Sequence, residues 1–112
     1  MLPLNSQKAM FSADEAAVIR FTLNVFLQTD FSGLTSKDEE TKAKNSAKEI
    51  IDKITAGVND FKFKELCVMA GATDNIISLI EDGETFGISK TQLDNCKFFL
   101  PSIKRKLIEL VK

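Results

Sequence analysis

DFKFKELCVMAGATDNIISLIEDGE, residues 60–84, is the most apolar run of a 112-residue chain, and how it folds decides the architecture. Phe63, Leu66, Cys67 and Ala70 stand at i, i+3, i+4 and i+7, which is one helical face. Ile76, Ile77 and Ile80 make a second face at similar spacing, with Thr73 placed to accept the free amides of a first turn. Gly71 lies between the two. A glycine there lets the chain reverse with a positive φ, so the expectation is two short helices crossing steeply.

Within this run, Leu66-Cys67-Val68-Met69-Ala70-Gly71-Ala72-Thr73, then Ile77-Ser78, then Ile80-Glu81-Asp82-Gly83-Glu84 resembles the Xre/Cro-type helix-turn-helix. That family reads L-A-x-x-A-G-V-S, then I-S, then I-E-x-G-E. The resemblance covers residues 63–84. It implies that Leu66, Ala70, Ile77 and Ile80 are core, that Cys67 lets the helices touch, and that Gly71 is the turn. It also implies that Thr73, Asp74, Asn75 and Ser78 face the major groove of duplex DNA, with Lys62, Lys64 and Lys90 on phosphates. Asn75 is the strongest base reader of the set, because its amide can pair with both edge atoms of adenine. Asp74 and Leu79 stand where the family carries polar or basic residues, and Ala72 is small for its slot.

Outward from this run, local signals divide the chain. Residues 1–11, with Pro3 and Asn5-Ser6, read as an extended lead-in. Ser12-Ala13-Asp14-Glu15 is a capping box with Phe11 as its staple, opening a helix to about Thr29. The polar side of that helix is a narrow stripe of Arg20, Asn24 and Gln28. A helix so apolar must be covered on more than one side, as the centre of a bundle or as half of a homodimer contact. Thr29 to Leu34 is a loop, and Ser36-Lys37-Asp38-Glu39 repeats the cap before a second helix. Ala43, Ala47, Ile50, Ile54 and Val58 share its narrow face and Gly57 ends it, so residues 12–58 are expected to form an antiparallel hairpin. Beyond Asp82-Gly83, Ser89-Lys90-Thr91-Gln92 is a third capping box. The last helix carries Leu93, Cys96, Leu100, Ile103, Leu107 and Leu110 on one stripe that keeps phase through Pro101, which predicts a kink. No repeat longer than the capping boxes is visible.

The length suits one domain with its own core. The expected fold is an all-α single-domain bundle of about five helices, with residues 59–112 forming a helix-turn-helix-like unit plus the kinked last helix. Cys67 and Cys96 both fall on apolar faces and are expected to be buried thiols in a reducing compartment. No apolar run reaches the eighteen or so residues a membrane span needs, and the N-terminus has no basic head before an apolar segment, so the chain is expected in the cytoplasm. It contains no histidine, which removes the commonest general base and the usual zinc ligand. The acidic groups Asp38-Glu39-Glu40 and Glu81, Asp82, Glu84 read as a helix first turn and as residues without calcium-loop spacing. No catalytic residue, metal site or cofactor is expected.

Charge bears on function. Residues 1–58 carry 7 basic and 8 acidic side chains and residues 59–112 carry 8 and 8, for a net charge of -1. Phosphate contacts supply most of a nucleic-acid binder's affinity, so such a protein usually has a basic excess. The one local excess is the tail with Lys97, Lys104, Arg105, Lys106 and Lys112 against Glu109, which suits phosphate, an acidic partner or plain solvation. The resemblance implies a small DNA-binding transcriptional regulator. The competing class is a non-enzymatic protein-interaction module, an inhibitor or adaptor, in which Ile76, Ile77, Leu79 and Ile80 are packing residues.

Overall fold

The computed structural model describes residues 6–8 and 10–111. The expected lead-in therefore lies in part outside the described residues, as does Lys112. The order is β1 (Ser6–Lys8), α1 (Ala13–Gln28), α2 (Lys37–Thr55), β2 (Asp60–Lys62), α3 (Phe63–Glu81) and α4 (Lys90–Val111). β1 and β2 pair antiparallel, Gln7 opposite Phe61, a short ladder that the sequence reading did not anticipate.

The three capping boxes form as their spacing predicts. Ser12 Oγ accepts from the Glu15 amide at 3.1 Å while Glu15 Oε1 accepts from the Ser12 amide at 2.8 Å. Ser36 Oγ accepts from the Glu39 amide at 3.1 Å, and Ser89 Oγ from the Gln92 amide at 3.2 Å. These bonds satisfy amides that a helix start leaves without partners.

The expected break at Gly71 is absent: α3 runs unbroken from Phe63 to Glu81. Gly71 is not among the residues with positive φ. Thr73 caps nothing; its hydroxyl donates to the Met69 carbonyl at 2.8 Å inside the helix. The physical reason lies in phase. Leu66, Met69, Ala72, Thr73 and Ile76 form one continuous buried stripe across the glycine, and burying it outweighs the cost of about 1 kcal/mol of a glycine in a helix. The bundle thus has four helices among the described residues, with no helix-turn-helix unit in residues 59–112. With α3 continuous, Phe63 and Cys67 turn outward, and Cys67 is exposed where a buried thiol was expected. Cys96 is buried, and burial pushes its thiol up. α4 continues through Pro101, as the unbroken stripe of Cys96, Leu100, Ile103 and Leu107 predicts.

α1 and α3 form the centre, each packing on all three other helices. The apolar breadth of α1 is met inside the chain: Val18, Ile19, Leu23 and Phe26 are core, while Phe21 and Val25 pack half-buried against it.

The two halves also correspond position by position. α1 and α3 match at a separation of 50: Phe11 with Phe61, Glu15 with Glu65, and the buried Ile19, Thr22, Leu23 and Phe26 with the buried Met69, Ala72, Thr73 and Ile76. α3 is then three residues longer, 19 against 16. From there the match is at 53. The loops 29–36 and 82–89 are both eight residues long, and their fifth residues, Gly33 and Phe86, both have positive φ, 86° and 55°. Ser36 and Ser89 cap α2 and α4, and the buried Ala47 and Ile50 match Leu100 and Ile103. The chain is one α-hairpin unit built twice.

Candidate interaction surface

The residues that the helix-turn-helix resemblance assigned to DNA do not converge. Thr73 is 2 % exposed and turned into the core. Asp74 is paired with Lys104 of α4 at 3.0 Å, and Asn75 donates to the Thr29 hydroxyl at 3.2 Å. Ser78 is exposed. Lys64 stands fourteen residues before it on the same helix, about 21 Å at 1.5 Å per residue, and Lys62 lies further still. Lys90 opens α4 and pairs with Asp94 at 3.1 Å. On a single straight helix these side chains present no recognition helix set into a supporting one. The acidic residues are likewise engaged: Asp38 pairs with Lys42 and Glu40 with Lys44, while Glu84 accepts the Thr85 and Phe86 amides.

Two clasps join the halves. Glu15 on α1 accepts from Lys106 of α4 at 2.6 Å and from Ser102 Oγ at 2.7 Å. Burial acts to raise its carboxyl, but these bonds and that from the Ser12 amide more than offset it and hold the group down at about 2. The corresponding Glu65 on α3 accepts from Lys53 of α2 at 2.6 Å and from the Lys62 amide at 2.8 Å, and it is lowered against burial in the same way. Each lysine also lies over the matching phenylalanine, Lys106 at 5.7 Å from the Phe11 centroid and Lys53 at 5.8 Å from that of Phe61. Carboxylates this engaged hold helices together and have no open side for a substrate.

The surface that differs between the halves lies on α4. Phe98, Pro101, Arg105 and Ile108 share its outer side, and Phe98 is 75 % exposed and Ile108 43 %. At the matching positions of α2 stand Asn45, Lys48, Asp52 and Thr55, all exposed. The fold therefore does not require apolar residues at these positions, since its other copy does without them. Beside Pro101 an apolar hollow of about 150 Å³ opens on the seam with α3, lined by Ile77, Ile80, Glu81, Lys97, Leu100 and Pro101. The sequence reading took Lys97 and Arg105 as part of a basic tail and Pro101 as a kink, and passed over Phe98 and Ile108. The available signal was that both fall off the stripe running from Leu93 to Leu110.

A second pair of hollows flanks Phe21 on α1. One, of about 410 Å³, is bordered by Phe21, Val25, Leu79 and Phe86; the other, of about 250 Å³, by Phe21, Ile88, Cys96 and Phe99. Phe86 stands over Phe21 edge to face at 5.6 Å. Its φ of 55°, strained for a bulky residue, is held by the Glu84 carboxylate.

Comparison with protein-family models, with curated proteins and with solved structures finds no match to this chain.

Proposed function

We propose that this protein is a non-enzymatic protein-interaction module that docks a partner on the outer face of α4. The observation that carries the reading is the contrast between two corresponding helices: α4 exposes Phe98, Pro101 and Ile108 where α2 has Asn45, Lys48 and Thr55. Solvent penalises exposed apolar side chains, and a row of them on one helix that the fold can do without is the usual mark of a contact surface. The row has a concave element too, the hollow beside Pro101, able to take one anchoring side chain. Sequence-specific reading of duplex DNA draws no support from a continuous α3 with Thr73 buried and Asp74 and Asn75 engaged.

The test gives α4 the residues of its sister helix. A variant with Phe98→Asn and Ile108→Thr keeps its thermal midpoint, because both side chains lie largely outside the core. A synthetic amphipathic peptide with leucines on one face and glutamines on the other shifts amide resonances of residues 97–108 in the native chain and not in the variant. Unfolding of the variant would show that the row is structural. Peptide shifts that map elsewhere would remove the docking face from α4.

A further inference from the structure

We infer that the occupant of the α4 face is an acidic amphipathic helix of another protein. The inference rests on the docking reading above and adds the partner's chemistry. The outer face of α2 carries Asp38, Glu49 and Asp52; the matching positions of α4 carry Thr91, Ser102 and Arg105. Together with the polar-to-apolar changes, the face has changed from acidic to basic. Lys97, on the rim of the hollow, and Arg105, one helical repeat on, make no ion pair among the described residues. Their α2 counterparts are Lys44, neutralised by Glu40 at 2.8 Å, and the acidic Asp52. Lys104 adds a third cation at the edge, already joined to Asp74.

Length and shape select a helix. Phe98 to Ile108 spans ten residues, about 15 Å along the axis, which matches three turns of a partner helix with apolar side chains at i, i+3 or i+4, and i+7. One of those side chains, of leucine size, enters the hollow between Ile77, Ile80 and Pro101. Glu81 borders that hollow from α3, so the partner's carboxylates belong on the α4 side, against Lys97 and Arg105. A second copy of the chain fits less well. Across a two-fold axis the patch meets itself, bringing Lys97 and Arg105 towards the same cations, while Asp94 is already committed to Lys90 at 3.1 Å.

Charged versions of the leucine–glutamine peptide supply the test, one with glutamates and one with lysines in place of the glutamines. Titrated into the full chain, the glutamate peptide is expected to bind through residues 97–108 at least tenfold more tightly than the lysine peptide, with the difference shrinking as salt is raised. Replacing Lys97→Glu and Arg105→Asp together should reverse that order while the circular dichroism stays unchanged. Equal binding of all three peptides at this face would overturn the acidic partner and leave the docking surface standing. Binding by none of them would overturn both. Sedimentation of the native chain as a dimer that Phe98→Asn dissociates would make a second copy the occupant and overturn this inference in favour of self-association.

Discussion

Glu15 shows how much one side chain can be asked to hold. It is 4 % exposed, caps α1, and bonds Lys106 and Ser102 on a helix at the far end of the chain. Its carboxyl is held at about 2 against an ordinary 4.5. Because the folded value lies below the unfolded one, the contribution of this group is complete above pH about 4.5 and is lost as pH falls towards 2. At 1.36 kcal/mol per tenfold, this amounts to roughly 2 to 3 kcal/mol, the lower end applying because Lys106 is partly solvated. Glu15→Gln should therefore lower stability by about 2 kcal/mol near neutrality and flatten the pH profile of urea denaturation below pH 4.5. The flattening should be partial, since Glu65 is shifted the same way and acts on the acid side too. A variant as acid-sensitive as the native chain would place the effect elsewhere. Half of this clasp was legible in the sequence, because Ser12 and Glu15 are three residues apart. Lys106, 91 residues from Glu15, carried no local sign of its role.

Among the elements, α3 separates what local sequence can say from what packing decides. Caps are local chemistry, and Ser12, Ser36 and Ser89 start helices where their spacing says they should. A glycine is ambiguous: it can turn a chain or sit in a helix at modest cost, and only the surroundings choose. At Gly71 the choice fell to Leu66, Met69, Ala72 and Ile76, whose common face is buried by α1, α2 and α4 together. The added methyl of an alanine there would meet nothing within 4 Å. Gly71→Ala should consequently stabilise the protein by about 0.5 to 1 kcal/mol, seen as a higher thermal midpoint. A turn with positive φ at this position would make the same substitution destabilising, so the sign alone distinguishes the two architectures. Gly33→Ala is the matched control, expected to destabilise because φ there is 86°.

At the scale of the molecule, the repeat was hidden because no single offset reveals it. Phe11, Glu15 and Ile19 align with Phe61, Glu65 and Met69 at 50, whereas Ser36, Ile50 and Lys53 align with Ser89, Ile103 and Lys106 at 53. The extra three residues of α3 change the register midway, and most of the matched core positions differ in identity. The repeat has a mechanical consequence. Neither clasp lies within a half: Glu15 of the first reaches Lys106 of the second, and Lys53 of the first reaches Glu65 of the second. The central contact of α1 with α3 likewise belongs to both. Interlocked in this way, neither hairpin has a covered core of its own once the other opens, and the chain should unfold as one two-state unit. Amide hydrogen exchange measures this directly, and suits a chain without tryptophan or tyrosine as optical probes. The slowest amides of α1 and α3 should report the same opening free energy, and Glu65→Gln should lower protection in α1 as much as in α3. If that substitution loosened α2 and α3 while α1 and α4 kept their protection, the clasps would be local ties and the two hairpins would be separate cooperative units.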